Sequence, residues 1–299
     1  MREALSQPGK VLHGDVVCPR AVLPLLVSEA ICGRYKECIP AAAALEASLA
    51  SGDVFDDVED RDAGLEASGR GAYAQAINVG TALLFLMQVA LTRLNEVGVN
   101  PDTITKVLAV IAKAGLRACA GQCYDLDFES KANVSLDDCL MMVELKSASI
   151  VESACRLGAL IATDDPRLIS SYSQFGLHLG MAAQIMNDVL ALRSADTAKS
   201  DIEHRKKTLP VVFALNCASG LKADLLRTVY TGDMRISIRT VRRVCSVLRK
   251  TGAIHFALTV AESHKLRALE ALEEMAIDNL ANKELRAAIL ASAGSLTTD

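Results

Sequence analysis

The stretch Ala41-Ala-Ala-Ala-Leu-Glu46-Ala-Ser-Leu-Ala50-Ser51-Gly52-Asp53-Val-Phe55-Asp56-Asp57-Val58-Glu59-Asp60 decides the reading of this chain. Its first half is small and apolar, which favours a buried helix, and its second half turns acidic without a helix breaker. Asp56 and Asp60 are four residues apart, so a helix sets them on one face, one turn from each other, with Asp57 beside them. Such a cluster repels itself unless a cation sits among the carboxylates. Mg²⁺ takes hard oxygen ligands and is usually held by one or two carboxylates plus phosphate oxygens and water. The plain alternative is an acidic, solvated helix end.

Outward from this stretch the pattern stays helical. Of the 299 residues 51% are hydrophobic and 4% aromatic, with no Trp and seven Pro, a profile of helices packed on helices. Apolar residues recur at helical spacing almost throughout and strand-like alternation is nearly absent. Helices are predicted at about 20–32, 39–60, 71–97, 102–129, 135–163, 166–193, 199–217, 221–229, 235–250, 253–275 and 281–293. Asn100-Pro101-Asp102, Asp164-Asp165-Pro166 and Thr251-Gly252 supply start and stop signals. No linker, low-complexity run or repeat divides the chain. The expected fold is all-α, a single large helical bundle over residues 1–299 whose sites are built from side chains projecting inward.

A net charge of −4 and a pI near 5.8 argue against a nucleic-acid partner. Arg242-Arg243 and Arg205-Lys206-Lys207 are the basic clusters, and the first reads as a solvated helix face. Nine cysteines, an odd number without metal-like spacing, suggest neither a disulfide framework nor zinc and suit a reducing cytoplasm. Cys119 and Cys123 read as two buried apolar thiols. Met1 to Val17 lacks the pattern of a signal peptide. The most apolar window, Ile77 to Leu94, contains Asn78, Gln88 and Arg93 and reads as a buried core helix, so no transmembrane segment is expected.

A second acidic position follows in Gln184-Ile-Met-Asn187-Asp188, and a basic turn in Ser200-Asp201 through Lys206-Lys207-Thr208-Leu209-Pro210. Asp188 suits a metal, and Lys206 or Lys207 suits diphosphate oxygens, since Lys acts as a point-charge phosphate ligand. With Lys146 these clusters describe a metal-and-diphosphate pocket at the mouth of a bundle.

These residues resemble the trans-polyprenyl diphosphate synthase family, from about Ala21 to Leu215 in unbroken order. The similar elements are Asp56-Asp57-x-x-Asp60, Gly121-Gln122-x-x-Asp125-Leu126, Lys146-Ser-Ala-Ser149, Phe175-Gly-x-x-Leu-Gly180, Gln184-x-x-Asn187-Asp188 and Lys206-x-Thr208-Leu209-Pro210. The resemblance implies a helical isoprenoid synthase fold with a central cavity, Mg²⁺ as cofactor, an allylic prenyl diphosphate substrate and a homodimer formed through the apolar helices around 71–129. By it, Asp56, Asp57, Asp60, Asn187 and Asp188 are the metal set, Lys146 and Lys206 contact the diphosphate, and Gln184 lines the cation's pocket. Ser51, Gly52 and Phe55, just ahead of Asp56, stand where the prenyl tail is measured. Small residues at 51 and 52 imply a farnesyl or geranylgeranyl tail. Asp53 has no place in that picture.

The departures are equally specific. Where family elongating enzymes carry basic stretches for isopentenyl diphosphate, this chain reads Cys18-Pro19-Arg20-Ala21-Val22-Leu23-Pro24 and Asp62-Ala-Gly-Leu65-Glu66-Ala67, with Arg61 and Arg70 nearby. The second motif's aspartates become Asn187, Asp188 and Ala191. Its Asn-Asp pair is similar to class I terpene synthases, whose Ser and Glu positions fall on Ala191 and Ala195, and to bacterial peptide-modifying prenyltransferases. The sequence therefore leads to an expectation that the allylic cation is cyclised or passed to an acceptor other than isopentenyl diphosphate. Chain elongation is the alternative, and a regulatory subunit the third reading.

Overall fold

The structure, a computed structural model, describes residues 21–60, 64–65, 69, 71–195, 197–232 and 236–291. Among these the regular structure is helical, as expected: α1 Val22–Cys32, α2 Ile39–Glu59, α3 Ala72–Thr92, α4 Pro101–Ser130, α5 Leu136–Val143, α6 Ser149–Ala162, α7 Pro166–Ala191, α8 Lys199–Glu203, α9 Leu209–Cys217, α10 Leu221–Thr231, α11 Ile238–Lys250, α12 Ala253–Glu274 and α13 Leu280–Ala291. The boundaries follow local chemistry. Asn100 accepts the Thr103 amide through Oδ1 ahead of Pro101, Ser135 and Ser237 cap α5 and α11, and Gly33 closes α1 in the left-handed region at φ 71°.

Three segments depart from the expected helices. The stretch 135–163 is interrupted by a π-helical turn, Glu144–Ala148, between α5 and α6. The stretch 199–217 breaks into α8 and α9, because Thr208 is extended and Pro210, in the first turn of α9, has no N–H and a ring that would clash with a helical carbonyl one turn earlier. The helix at 71–97 stops at Thr92.

The described residues gather into two compact units, one from 21–115, 153–174 and 271–291, the other from 116–152 and 175–270. In the first, Cys38, Ala41, Ala44, Leu91, Leu94, Val107, Ile111 and Leu157 form the core. The alanines let α2 and α3 approach closely: Ser51 donates its hydroxyl to the Gly80 carbonyl at 2.8 Å, and a β-carbon on Gly80 would come within 2.8 Å of the Phe55 ring. The second unit is filled by Phe128, Cys139, Met142, Ile185, Val189, Leu209 and Val212, and separately by Ile202, Leu226, Val229, Val244 and Leu248. Each fully buried Leu or Ile contributes about 2 kcal/mol by leaving water.

α3 is not the buried helix the sequence suggested. Leu83 and Leu91 are buried, but Phe85 is 62% exposed, Val89 59% and Ile77 48%. Both α3 and the stretch containing α2 are long and apolar enough, by length and composition alone, to cross a membrane, a test that core helices also pass. Cys119 and Cys123 are likewise exposed, not buried. All described cysteines are free thiols.

Candidate active site

In the first unit the acidic motif ends α2. The Asp60 amide donates to the Asp56 carbonyl at 2.8 Å, so the helix runs to the last aspartate and keeps Asp56 and Asp60 on one face. Asp56 and Asp60 are half-buried and Asp57 is exposed. Ser51 is 1% exposed and its hydroxyl is taken by α3, whereas a side chain at Gly52 would meet nothing within 4 Å. Of the expected tail-measuring positions, Gly52 alone faces open space; Ser51 and Phe55 are engaged with α3 at Gly80. Leu65 is half-buried, and Arg20, Arg61, Asp62, Glu66, Ala67 and Arg70 lie outside the described residues.

The second unit assembles the remaining groups. Asp125 on α4 is buried, and its Oδ2 accepts from Lys146 Nζ at 2.7 Å and Lys206 Nζ at 3.2 Å. Lys206 also reaches Glu129 Oε1 at 3.2 Å. Burial alone would raise the Asp125 carboxyl, but the two ammonium groups outweigh it and hold it below the usual carboxylate value.

Lys146 reaches Asp125 because the π-helical turn carries it. Gly121 makes that approach: a β-carbon there would lie 2.3 Å from the Lys146 amide nitrogen. Arg117, one turn earlier on α4, grips Glu144 Oε1 at 2.9 Å and Glu152 Oε2 at 2.6 Å, bracketing the turn from both ends. Gln122 buries both side-chain amide atoms with no hydrogen-bond partner among the described residues.

On α7, Gln184 Nε2 donates to Asp188 Oδ1 at 2.9 Å, a pair one turn apart. Burial is the main cause pushing the Asp188 carboxyl up to about 7, with Asp201 and Asp125 adding to it against the Gln184 bond. Asn187 is exposed. The adjacent lysines separate in role. Lys207 is fully buried, its ammonium 5.2 Å from the Tyr230 ring centre and aimed at the carbonyls of Glu129, Arg205 and Tyr230. Burial lowers it to about 8.

The donor set suits a cation bound together with a diphosphate. Among the described residues no three His, Cys, Asp or Glu side chains converge into a cage, as Mg²⁺ does not require when phosphate oxygens complete its sphere. Asp188, buried and reluctant to ionise alone, is a carboxylate that an adjacent cation would stabilise. Sequence reasoning named Lys146, Lys206, Gln184 and Asp188 but gave no role to Asp125 or Gln122. Their spacing on α4, three residues apart in the quoted Gly121-Gln122-x-x-Asp125 element, was the available signal.

The family model described as Polyprenyl synthetase matches residues 16–248. The chain is 29% identical over 262 residues to the geranylgeranyl diphosphate synthase of Mycobacterium tuberculosis, covering 85% of this chain and 74% of the relative. It is 28% identical over 281 residues to the (2E,6E)-farnesyl diphosphate synthase of Mycobacterium bovis, covering 90% and 77%. The solved geranylgeranyl pyrophosphate synthetase of Pyrococcus horikoshii superposes with a TM-score of 0.81 at 27% identity over 98% of this chain and 90% of that one.

Proposed function

Because the chain belongs to the polyprenyl synthetase family and is a prenyl-diphosphate-using enzyme, we propose that it elongates an allylic prenyl diphosphate with isopentenyl diphosphate. The observation that carries the reading is the sharing of one Asp125 oxygen by Lys146 and Lys206. Two ammonium groups held side by side before substrate arrives are preorganised for a diphosphate, and cost little reorganisation as charge develops on the leaving group. The carbon–oxygen bond of the allylic diphosphate breaks with its electron pair leaving on pyrophosphate. The double bond of isopentenyl diphosphate then closes on the allylic cation, and a proton is lost from the adduct.

Asp56 and Asp60 in the first unit would hold Mg²⁺ and Asp188 in the second would hold a further metal, with Asp57 and Asn187 as further candidates. When bound, the metal supplies Lewis-acid polarisation of the diphosphate. Gln184 orients the Asp188 carboxylate. The farnesyl or geranylgeranyl tail assignment rests on Gly52. A homodimer joined through the exposed apolar face of α3 is part of the same proposal.

The relatives, synthases of geranylgeranyl and farnesyl diphosphate, support elongation over the capture by another acceptor that the sequence departures suggested. Leu65 and Glu66, where the family places cations, keep that second reading open to test. Pyrophosphate release is measured with Mg²⁺ and geranyl, farnesyl or geranylgeranyl diphosphate, with and without isopentenyl diphosphate, and organic products are weighed. Longer diphosphates formed only with isopentenyl diphosphate establish elongation. Release without it, yielding hydrocarbon or alcohol, overturns elongation in favour of the second reading.

A further inference from the structure

α11 reads Ile238-Arg-Thr-Val-Arg-Arg-Val-Cys-Ser-Val-Leu-Arg-Lys250, with no acidic and no aromatic residue. Val241, Val244, Cys245, Val247 and Leu248 are buried in the second unit. Arg239, Arg242, Arg243, Arg249 and Lys250 are exposed. At 3.6 residues per turn these five fall within about a third of the helix circumference and run about 16 Å along it. The helix is therefore divided into an apolar face and a cationic one in which Ser246 is the uncharged member.

Among the described residues no acidic side chain forms an ion pair with the cationic face. Arg249 donates to the carbonyls of Leu192 and Arg193 at 3.2 and 3.3 Å. Arg239, Arg242, Arg243 and Lys250 form no ion pair with any described residue. Like charges three and four residues apart repel and weaken the helix that carries them. In a chain of net charge −4 this is a local excess, and it is mostly Arg, whose planar guanidinium matches phosphate oxygens in pairs.

We propose that this stripe docks the protein on the anionic phosphate surface of a lipid bilayer. A straight row of cations suits a flat, phosphate-covered surface. The absence of aromatic residues on α11 removes the stacking that single-stranded nucleic acid uses. The choice of a bilayer also rests on the function proposed above, whose product carries an apolar tail that partitions into lipid.

The test is flotation of the full-length chain with phosphatidylcholine vesicles, with and without phosphatidylglycerol, across salt concentration. Binding is expected only to the anionic vesicles and is lost at high salt. The combined Arg239→Gln, Arg242→Gln and Arg243→Gln variant should bind roughly 100-fold more weakly, while the same three positions changed to Lys retain most of the binding. Both variants should release pyrophosphate at the wild-type rate. Equal binding to neutral vesicles, undiminished binding by the Gln variant, or binding of an RNA oligomer without binding of vesicles overturns the proposal. A chain that floats with anionic vesicles but releases no pyrophosphate leaves the stripe standing and removes the proposed reaction; the reverse removes the stripe alone.

Discussion

Lys146 Nζ donates to Asp125 Oδ2 at 2.7 Å, tying the π-helical turn to the C-terminal part of α4. Asp125→Asn removes the charge that gathers both lysines, and a charge-assisted bond of this kind contributes about 1.5–3 kcal/mol. The kcat/KM for the allylic diphosphate should fall roughly 10- to 100-fold by the same conversion. Steady-state pyrophosphate release checks this, and unchanged kinetics would remove Asp125 from the site.

Gly121→Ala places a β-carbon 2.6 Å from the Lys146 α-carbon, and neither backbone can yield locally. Overpacking of this kind costs about 1–3 kcal/mol, so thermal unfolding should move down by several degrees and activity should drop with it.

The two adjacent lysines should separate in the laboratory. Lys206→Met is expected to abolish pyrophosphate release. Lys207→Met leaves the Glu129, Arg205 and Tyr230 carbonyls without their shared donor and should lower the melting temperature by several degrees. Loss of activity without loss of stability in the second variant would contradict the assignment.

His178 and His264 face each other with Nδ1 atoms 3.0 Å apart, beside Arg267 and Glu270. Burial first, then His178 and Arg267, lowers His264 to about 4, against about 6.5 in the unfolded chain. At pH above about 6.5 both states are neutral and nothing is lost. As pH falls from about 6.5 towards 4, the unfolded chain takes up a proton that the folded one refuses, so stability declines. Melting temperatures across that window should slope down towards acid, and His264→Gln should flatten the slope.

Phe85→Glu with Val89→Glu, on the exposed face of α3, should convert a dimer to a monomer in sedimentation. A wild-type chain that sediments as a monomer would dispose of the dimer.

The sequence made the all-helical fold and both acidic motifs legible, because helical periodicity and carboxylates four apart are local properties. What it concealed were features set by tertiary contact. Lys206 and Lys207 are chemically alike, and only the positions of Asp125 and Tyr230 distinguish them. The apolar content of α3 suggested burial, since composition does not say which face of a helix meets its own chain. The expected uninterrupted helix over 135–163 hid the π-helical turn, which depends on Gly121 and Arg117 far from it in sequence.

That turn also limits how the protein can be improved. Glu144–Ala148 holds its widened winding against α4, and a regular α-helix through the same residues would rotate Lys146 away from Asp125 by a large fraction of a turn. Substitutions that raise α-helix propensity here would be attractive to anyone selecting for heat resistance, yet they favour the register in which the lysine misses its carboxylate. Thermostability and turnover are thus set against each other within five residues.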